Sequence, residues 1–121
     1  MSNFVHLHNH SDFSLLDSAA SIPRYIAKCK EYGMNALALT DHGNMYGAVT
    51  FYKACKDNGI NPLVGCEFYY THDRHVKDPS AKYYHLILIA MSDKGYHNLM
   101  ELNSIAWKEG YYYKPRIDDE S

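Results

Sequence analysis

The sequence predicts an α/β fold in which parallel strands alternate with helices, and three observations predict it. Short apolar runs (NALALT at 35–40, PLVGC at 62–66, YHLILIA at 84–90) recur between segments of helical spacing. Gly33, Gly59 and Gly110 stand just past those helical segments, where helices terminate. No linker-like composition divides the 121 residues, so the chain reads as one domain with a modest core.

In chain order, residues 4–8 read as a first strand, followed by a polar loop through Ser11, Asp12 and Asp17. Ser21 suits an N-cap and Pro23 a first helical turn; Ile22, Tyr25, Ile26, Cys29 and Tyr32 then fall at helical spacing. Residues 35–40 form a second strand, Asp41-His42-Gly43-Asn44 a turn, and residues 45–58 a second helix with Val49, Tyr52 and Lys53 to Lys56 in register. Residues 62–66 form a third buried strand leading to Glu67, and the polar stretch 71–82 is a loop. The apolar run at 84–90 suits a fourth strand in a sheet covered on both faces. A last helix spans 95–108. Four such units make half of a closed eightfold barrel, which leaves two architectures: the beginning of a larger αβ barrel, or a small open sheet.

Hydrophobic residues make up 46% and charged residues 21%, as in ordinary globular proteins. A net charge of −2 gives no broad basic surface for nucleic acid. The N-terminus lacks a secretory pattern, and no apolar run is long enough to span a bilayer. Cys29, Cys55 and Cys66 are odd in number and widely spaced, without CxxC. Together these predict a cytoplasmic chain with reduced, buried cysteines and no membrane contact. The 12 tyrosines gather at 69–70, 83–84 and 111–113, the pattern of a surface that more protein covers.

His6, His8 and His10 alternate, so an extended chain turns all three to one side. Imidazole is the commonest protein ligand for divalent transition metals, and the intervening Leu7 and Asn9 exclude a purification tag. In parallel α/β folds, functional groups collect at the carboxyl ends of strands. His8 and His10 leave the first strand, Asp41 and His42 the second and Glu67 the third, while Asp17 sits in the loop above them. Mixed imidazole and carboxylate ligands suit Zn²⁺, Mn²⁺ or Fe²⁺. More than four of them suggest two or three ions, a device for phosphoester hydrolysis.

Other residues keep two readings. Asp41 is a ligand, or it orients His42 and the turn. Glu67, between Cys66 and Phe68, is costly to bury without a partner. Gly43 and Gly47 permit close backbone approach. His6 lies deeper in its strand and reads as a supporting or core partner. His85 begins the fourth strand; in a parallel strand that end lies on the opposite rim, which favours a core histidine. His72 and His75 read as solvated, and His97 as helix surface. Residues 111–116 (YYYKPR) interleave aromatic and basic groups, which fits a phosphate or nucleic-acid contact, or a docking surface for further chain.

The runs HLHNHSDFSLLD, ALTDHGNMYGAVTFYKACKDNGINPLVGCE, YYHLILIA and EGYYYKPRID resemble the PHP (polymerase and histidinol phosphatase) domain family, in the version that begins the alpha subunit of the bacterial replicative DNA polymerase, polymerase III. The resemblance covers nearly the whole chain. It implies a distorted (βα)7 barrel with a trinuclear centre, of which residues 1–121 form the N-terminal portion. It implies His8, His10, Asp17, His42, Glu67 and His85 as ligands for divalent Zn, Mn or Fe, up to three ions in a complete domain, with Asp41 assisting as a base from behind. It further implies a DNA-directed DNA polymerase (a nucleotidyltransferase) as the full-length protein. Its partners would be DNA, deoxynucleoside triphosphates, a proofreading exonuclease and a sliding clamp. The PHP portion would hydrolyse phosphodiesters as a 3′–5′ exonuclease, or pyrophosphate. Two alternatives stay open: a structural module docking a proofreading subunit, and a stand-alone enzyme of the histidinol phosphatase kind. Ser18 stands where the family usually has glycine, which bears on the loop placing Asp17. The family's later motifs, including an Asp-x-His pair, and the polymerase's catalytic aspartates are expected beyond Ser121.

Overall fold

The computed structural model describes residues 3–121. Its elements are α1 (Ile22–Glu31), β1 (Ala36–Leu39), α2 (Ala48–Asp57), β2 (Asn61–Thr71), β3 (Tyr83–Ile89), α3 (Asp93–Lys108) and β4 (Arg116–Ile117). Helix α1 buries Ile22, Ile26 and Cys29, and α2 buries Ala48, Phe51 and Cys55. Both sets follow the spacing of one helical face, and all but Ala48 join Leu37, Leu39 and Ile60 in one cluster. Each helix ends in the same way. Gly33 (φ 65°) and Gly59 (φ 70°) adopt the left-handed conformation. Met34 N–H then reaches back to the Cys29 carbonyl, and Ile60 N–H to that of Cys55, at 2.8 and 2.9 Å. These are Schellman ends, and each carries its apolar residue into the core between helix and strand. A second cluster joins Cys66, Phe68 and Ile117 to Leu99 and Ala106 of α3.

The three predicted helices and the strands predicted at 35–40, 62–66 and 84–90 are present, with corrections. Helix α2 starts at Ala48 rather than 45, because the Asn44 side chain accepts the Tyr46 N–H and holds a turn there. Its buried face is that of Phe51; Val49 and Tyr52 are exposed. Strand β2 does not stop near Cys66 but runs to Thr71, so Glu67 lies mid-strand. Strand β1 pairs with β2 in parallel, as does β4, but β3 pairs antiparallel, with Tyr69 opposite His85. Within the described residues its side chains are exposed or half-buried. An apolar run by itself carries no strand direction; the connection 72–82, doubling back, sets it.

Residues 4–8 do not form a regular strand. The Ala38 N–H donates to the His6 carbonyl (3.1 Å) and the Thr40 N–H to that of Asn9 (2.9 Å). The step is three residues on one side and two on the other, so one extra residue interrupts the alternation, as in a bulge. The Asn9 side-chain amide bonds the carbonyls of His6 and Ala38 and ties the irregular segment to β1.

The charged C-terminal run is structural. Arg116 is 1% exposed. Its guanidinium donates to the carbonyls of Gly110, Val76 and Arg74 at 2.9–3.0 Å, so it is no phosphate contact. Asp118 accepts from the Arg74 side chain at 2.6 Å. Burial alone would raise the Asp118 carboxyl, but the Arg74 N–H, the Ser121 hydroxyl and the Arg74 guanidinium outweigh it and hold it at about 2. A carboxyl depressed in the folded state stabilises above its unfolded pKa, and that contribution is lost as pH falls through its folded value. Discounted for solvent screening, it is about 1 kcal/mol. Asp118→Asn is therefore expected to lower stability by about that amount at pH 7, with the gap closing between about pH 4 and pH 2. Urea denaturation of both proteins across that range measures it; a constant gap would refute the assignment.

Candidate metal centre

Backbone pairing brings the site together. Beyond the end of β1, Glu67 N–H donates to the Asp41 carbonyl and Gly43 N–H to the Glu67 carbonyl, both at 2.9 Å, which seats His42 beside Glu67. The antiparallel β3 then returns His85 to this same end. The bulged leading segment adds His8 and His10, whose rings meet edge to face at 4.9 Å. His6 falls outside: it is exposed and packs on Phe4. The extra residue before Asn9 breaks the shared face that strict alternation would have made.

Glu67, 3% exposed, is the hub. His10 Nε2 (2.5 Å), His42 Nδ1 (3.0 Å) and His8 Nε2 (3.1 Å) surround its Oε2, and His85 Nδ1 lies 3.1 Å from Oε1. Asp17 closes the group from the loop, with Oδ2 2.5 Å from His42 Nε2 and 3.3 Å from His10 Nδ1. Burial alone would raise the Glu67 carboxyl; hydrogen bonds and charge from His8, His42 and His10 outweigh it and hold the group below its ordinary value.

The donor set fits a cation better than it fits itself. A neutral imidazole has a single N–H. Yet His10 and His42 each turn both ring nitrogens toward carboxylate oxygens. His42 Nδ1 is buried without a hydrogen bond although a Glu67 oxygen is 3.0 Å away. Three overlapping triads have ligand atoms mutually within 4.8 Å: His8, His10 and Glu67; His10, Asp17 and His42; and His42, Glu67 and His85. Cys66 belongs to none of these triads: it is buried in the second apolar cluster, where its Sγ meets the Asp41 carbonyl at 3.5 Å.

Asp41 stands apart from these triads, and its contacts favour the orienting reading over that of a ligand or base. It is 1% exposed. Its carboxylate accepts the Ser11 N–H (2.6 Å), the Ser11 hydroxyl (2.8 Å) and the Ser14 hydroxyl (2.8 Å). The Ser14 oxygen in turn accepts the His42 N–H at 3.0 Å. Asp41 thus holds the loop that carries Asp17 against the segment after β1 that carries His42. Ser18 donates its hydroxyl to the His10 carbonyl at 2.9 Å, beside the Tyr25 hydroxyl at 2.7 Å. At Gly43 (φ 58°), an added Cβ would come within 2.8 Å of Pro115. His72, His75 and His97 are exposed, as predicted.

Sequence reasoning missed Tyr69, Ser11, Ser14 and Trp107. Tyr69 stacks on His42 with ring centroids 6.0 Å apart, and burial, reinforced by the charge of Glu67, pushes its phenol up to about 12. It lies two residues after Glu67 and so on the same strand face, a signal that alternation carries. The serine contacts have no such periodic trace.

Residues 6–121 match the PHP domain family. The chain belongs to that family. The PHP chain is 52% identical over 98% of its length to the DNA polymerase III subunit alpha of Treponema pallidum, and likewise to that of Aquifex aeolicus. It spans about a tenth of the length of these curated relatives. Two solved structures share its fold. An amidohydrolase from Chromobacterium violaceum, with bound sulfate and no metal, matches with a TM-score of 0.58 at 24% identity. A protein provisionally described as a metal-dependent phosphoesterase, from Bifidobacterium adolescentis, matches with a TM-score of 0.57 at 17% identity. They cover 84% and 86% of the PHP chain, which covers 34% of each of them, so its α/β arrangement corresponds to part of their fold.

Proposed function

We propose that the PHP chain is the N-terminal portion of a DNA polymerase III alpha subunit, and that it holds divalent metal ions for phosphoester hydrolysis. The observation that supports this most is Glu67: a buried carboxylate within 3.1 Å of four imidazoles, in a cluster whose nitrogens outnumber the protons they can share. His8, His10, Asp17, His42, Glu67 and His85 would hold the ions. Bound Zn²⁺, Mn²⁺ or Fe²⁺ would supply electrophilic activation of a phosphoester and of water. The chain's own residues prepare the place. Glu67 balances charge, Asp41 and its serines fix the loop under Asp17, and Tyr69 closes one side of His42. The half-exposed His8 and His85 and the exposed Asp17 leave the cluster open to a substrate. A proofreading 3′–5′ exonuclease step suits such a site in a polymerase; pyrophosphate is the other substrate of this chemistry.

The DNA polymerase activity, with DNA, deoxynucleoside triphosphates, a proofreading subunit and a sliding clamp as partners, belongs to this proposal through the relatives. Their length disfavours a stand-alone histidinol phosphatase. Among the described residues no helix is long and apolar enough to cross a membrane, and a replicative role would place the protein in the cytoplasm. The test uses full-length protein, wild type against His8→Ala plus His10→Ala. Metal content by mass spectrometry and release of nucleotides from a single-stranded 3′ end should both fall at least tenfold in the variant. A wild type that holds metal but hydrolyses nothing, with a variant that loses stability, would replace hydrolysis by the docking-module reading.

A further inference from the structure

A cleft of about 590 Å³ opens beside the cluster, with Asp17, His42 and His85 on its inner wall. Pockets for small ligands run from about 300 to 1,000 Å³. Its outer wall is aromatic. Trp107 donates its indole N–H to the Gly43 carbonyl at 2.8 Å, and its ring stacks on Tyr111 with planes 16° apart. Tyr113 is 79% exposed and holds φ 60°, a left-handed conformation that non-glycine residues rarely adopt. Between this wall and the cluster stands Tyr69, with Lys114 Nζ 5.4 Å above its ring. Lys114 is the cleft's lysine, and Asp17 its carboxylate among the described residues. Among the described residues these rings line the cleft and join neither apolar cluster, and one of them holds a backbone conformation that non-glycine residues rarely adopt.

We infer that this aromatic wall is a stacking subsite for the terminal bases of single-stranded DNA, with Lys114 meeting the phosphate between them and the cluster. The inference rests on the phosphoesterase reading above and adds to it what holds the substrate. Flat faces bind any base, and a cation beside them follows the backbone, the combination used for single strands without sequence preference. A paired duplex end offers only the outer face of its last pair and cannot lay successive bases along this wall. The preference is therefore for a frayed or unpaired terminus.

The probe is a thymidine tetranucleotide ending in 5-iododeoxyuridine, photocrosslinked to full-length protein and mapped by mass spectrometry. Crosslinks are expected within residues 107–113. Tyr111→Ala combined with Tyr113→Gly, which leaves the Trp107 bond to Gly43 in place, should cut their yield roughly tenfold while bound manganese is unchanged. Crosslinks found only outside 107–113, or undiminished in that variant, would overturn the subsite. So would a proofreading subunit that shields Tyr111 and Tyr113 while no base reacts there. Failure of the underlying reading shows separately, as wild-type protein that retains no metal whatever the crosslink map.

Discussion

Glu67→Gln is expected to release metal from the full-length protein and to abolish its response to chelation. Glutamine keeps the shape of the side chain and removes the charge that three imidazole nitrogens share at Oε2. Loss of an outer-shell partner costs about 10- to 100-fold in metal affinity. Loss of a central anionic ligand should cost at least a hundredfold. A ligand at a hundred times its dissociation constant stabilises the folded state by about 2.7 kcal/mol. The wild type should therefore melt several degrees lower after chelation, whereas the variant melts at one temperature with or without chelator. Stoichiometric metal in the purified variant would remove Glu67 from the centre. His85→Ala, which takes away a half-exposed contact at Oε1, should have a smaller effect in the same assay.

Asp41→Ala is expected to cost about 3–5 kcal/mol of stability. It strands the N–H and hydroxyl of Ser11 and weakens the hold on Ser14, all of them buried. Each buried donor left unpaired costs about 1–3 kcal/mol. Some of this is recovered by rearrangement, since the Ser14 oxygen still meets the His42 N–H. Asp41→Asn keeps one carbonyl acceptor and should fall between the two. Denaturant midpoints measure the loss. An alanine variant as stable as wild type, with hydrolysis alone impaired, would return Asp41 to the role of base and refute the positioning role that its hydrogen bonds support.

These two residues show what a reading along the chain can and cannot reach. Glu67 was legible because a carboxylate between Cys66 and Phe68, inside an apolar run, demands a partner wherever the run is buried. Asp41 drew attention for the same kind of reason, and two readings of it stood side by side; its hydrogen bonds favour the orienting one. Its partners lie 27 and 30 residues earlier, and no local pattern announces a serine hydroxyl pointing at it. Arg116 followed suit: beside three tyrosines and a lysine it reads as a surface contact, and only the return of the 72–82 loop surrounds it with carbonyls.

The sequence by itself determined the three helices and the strands between them from residue 35 to 108, their glycine ends, the membership of the PHP family and the residue types of the candidate centre. These depend on neighbours within a few positions: helical spacing, a left-handed glycine, alternation along a strand. Tertiary structure alone decided which of those residues meet. The antiparallel course of β3 brought His85 to the rim that a parallel strand would have denied it. One extra residue against β1 separated His6 from His8 and His10. Strand direction and pairing register arise from contacts between segments distant in sequence, and a run of apolar side chains looks the same in either direction.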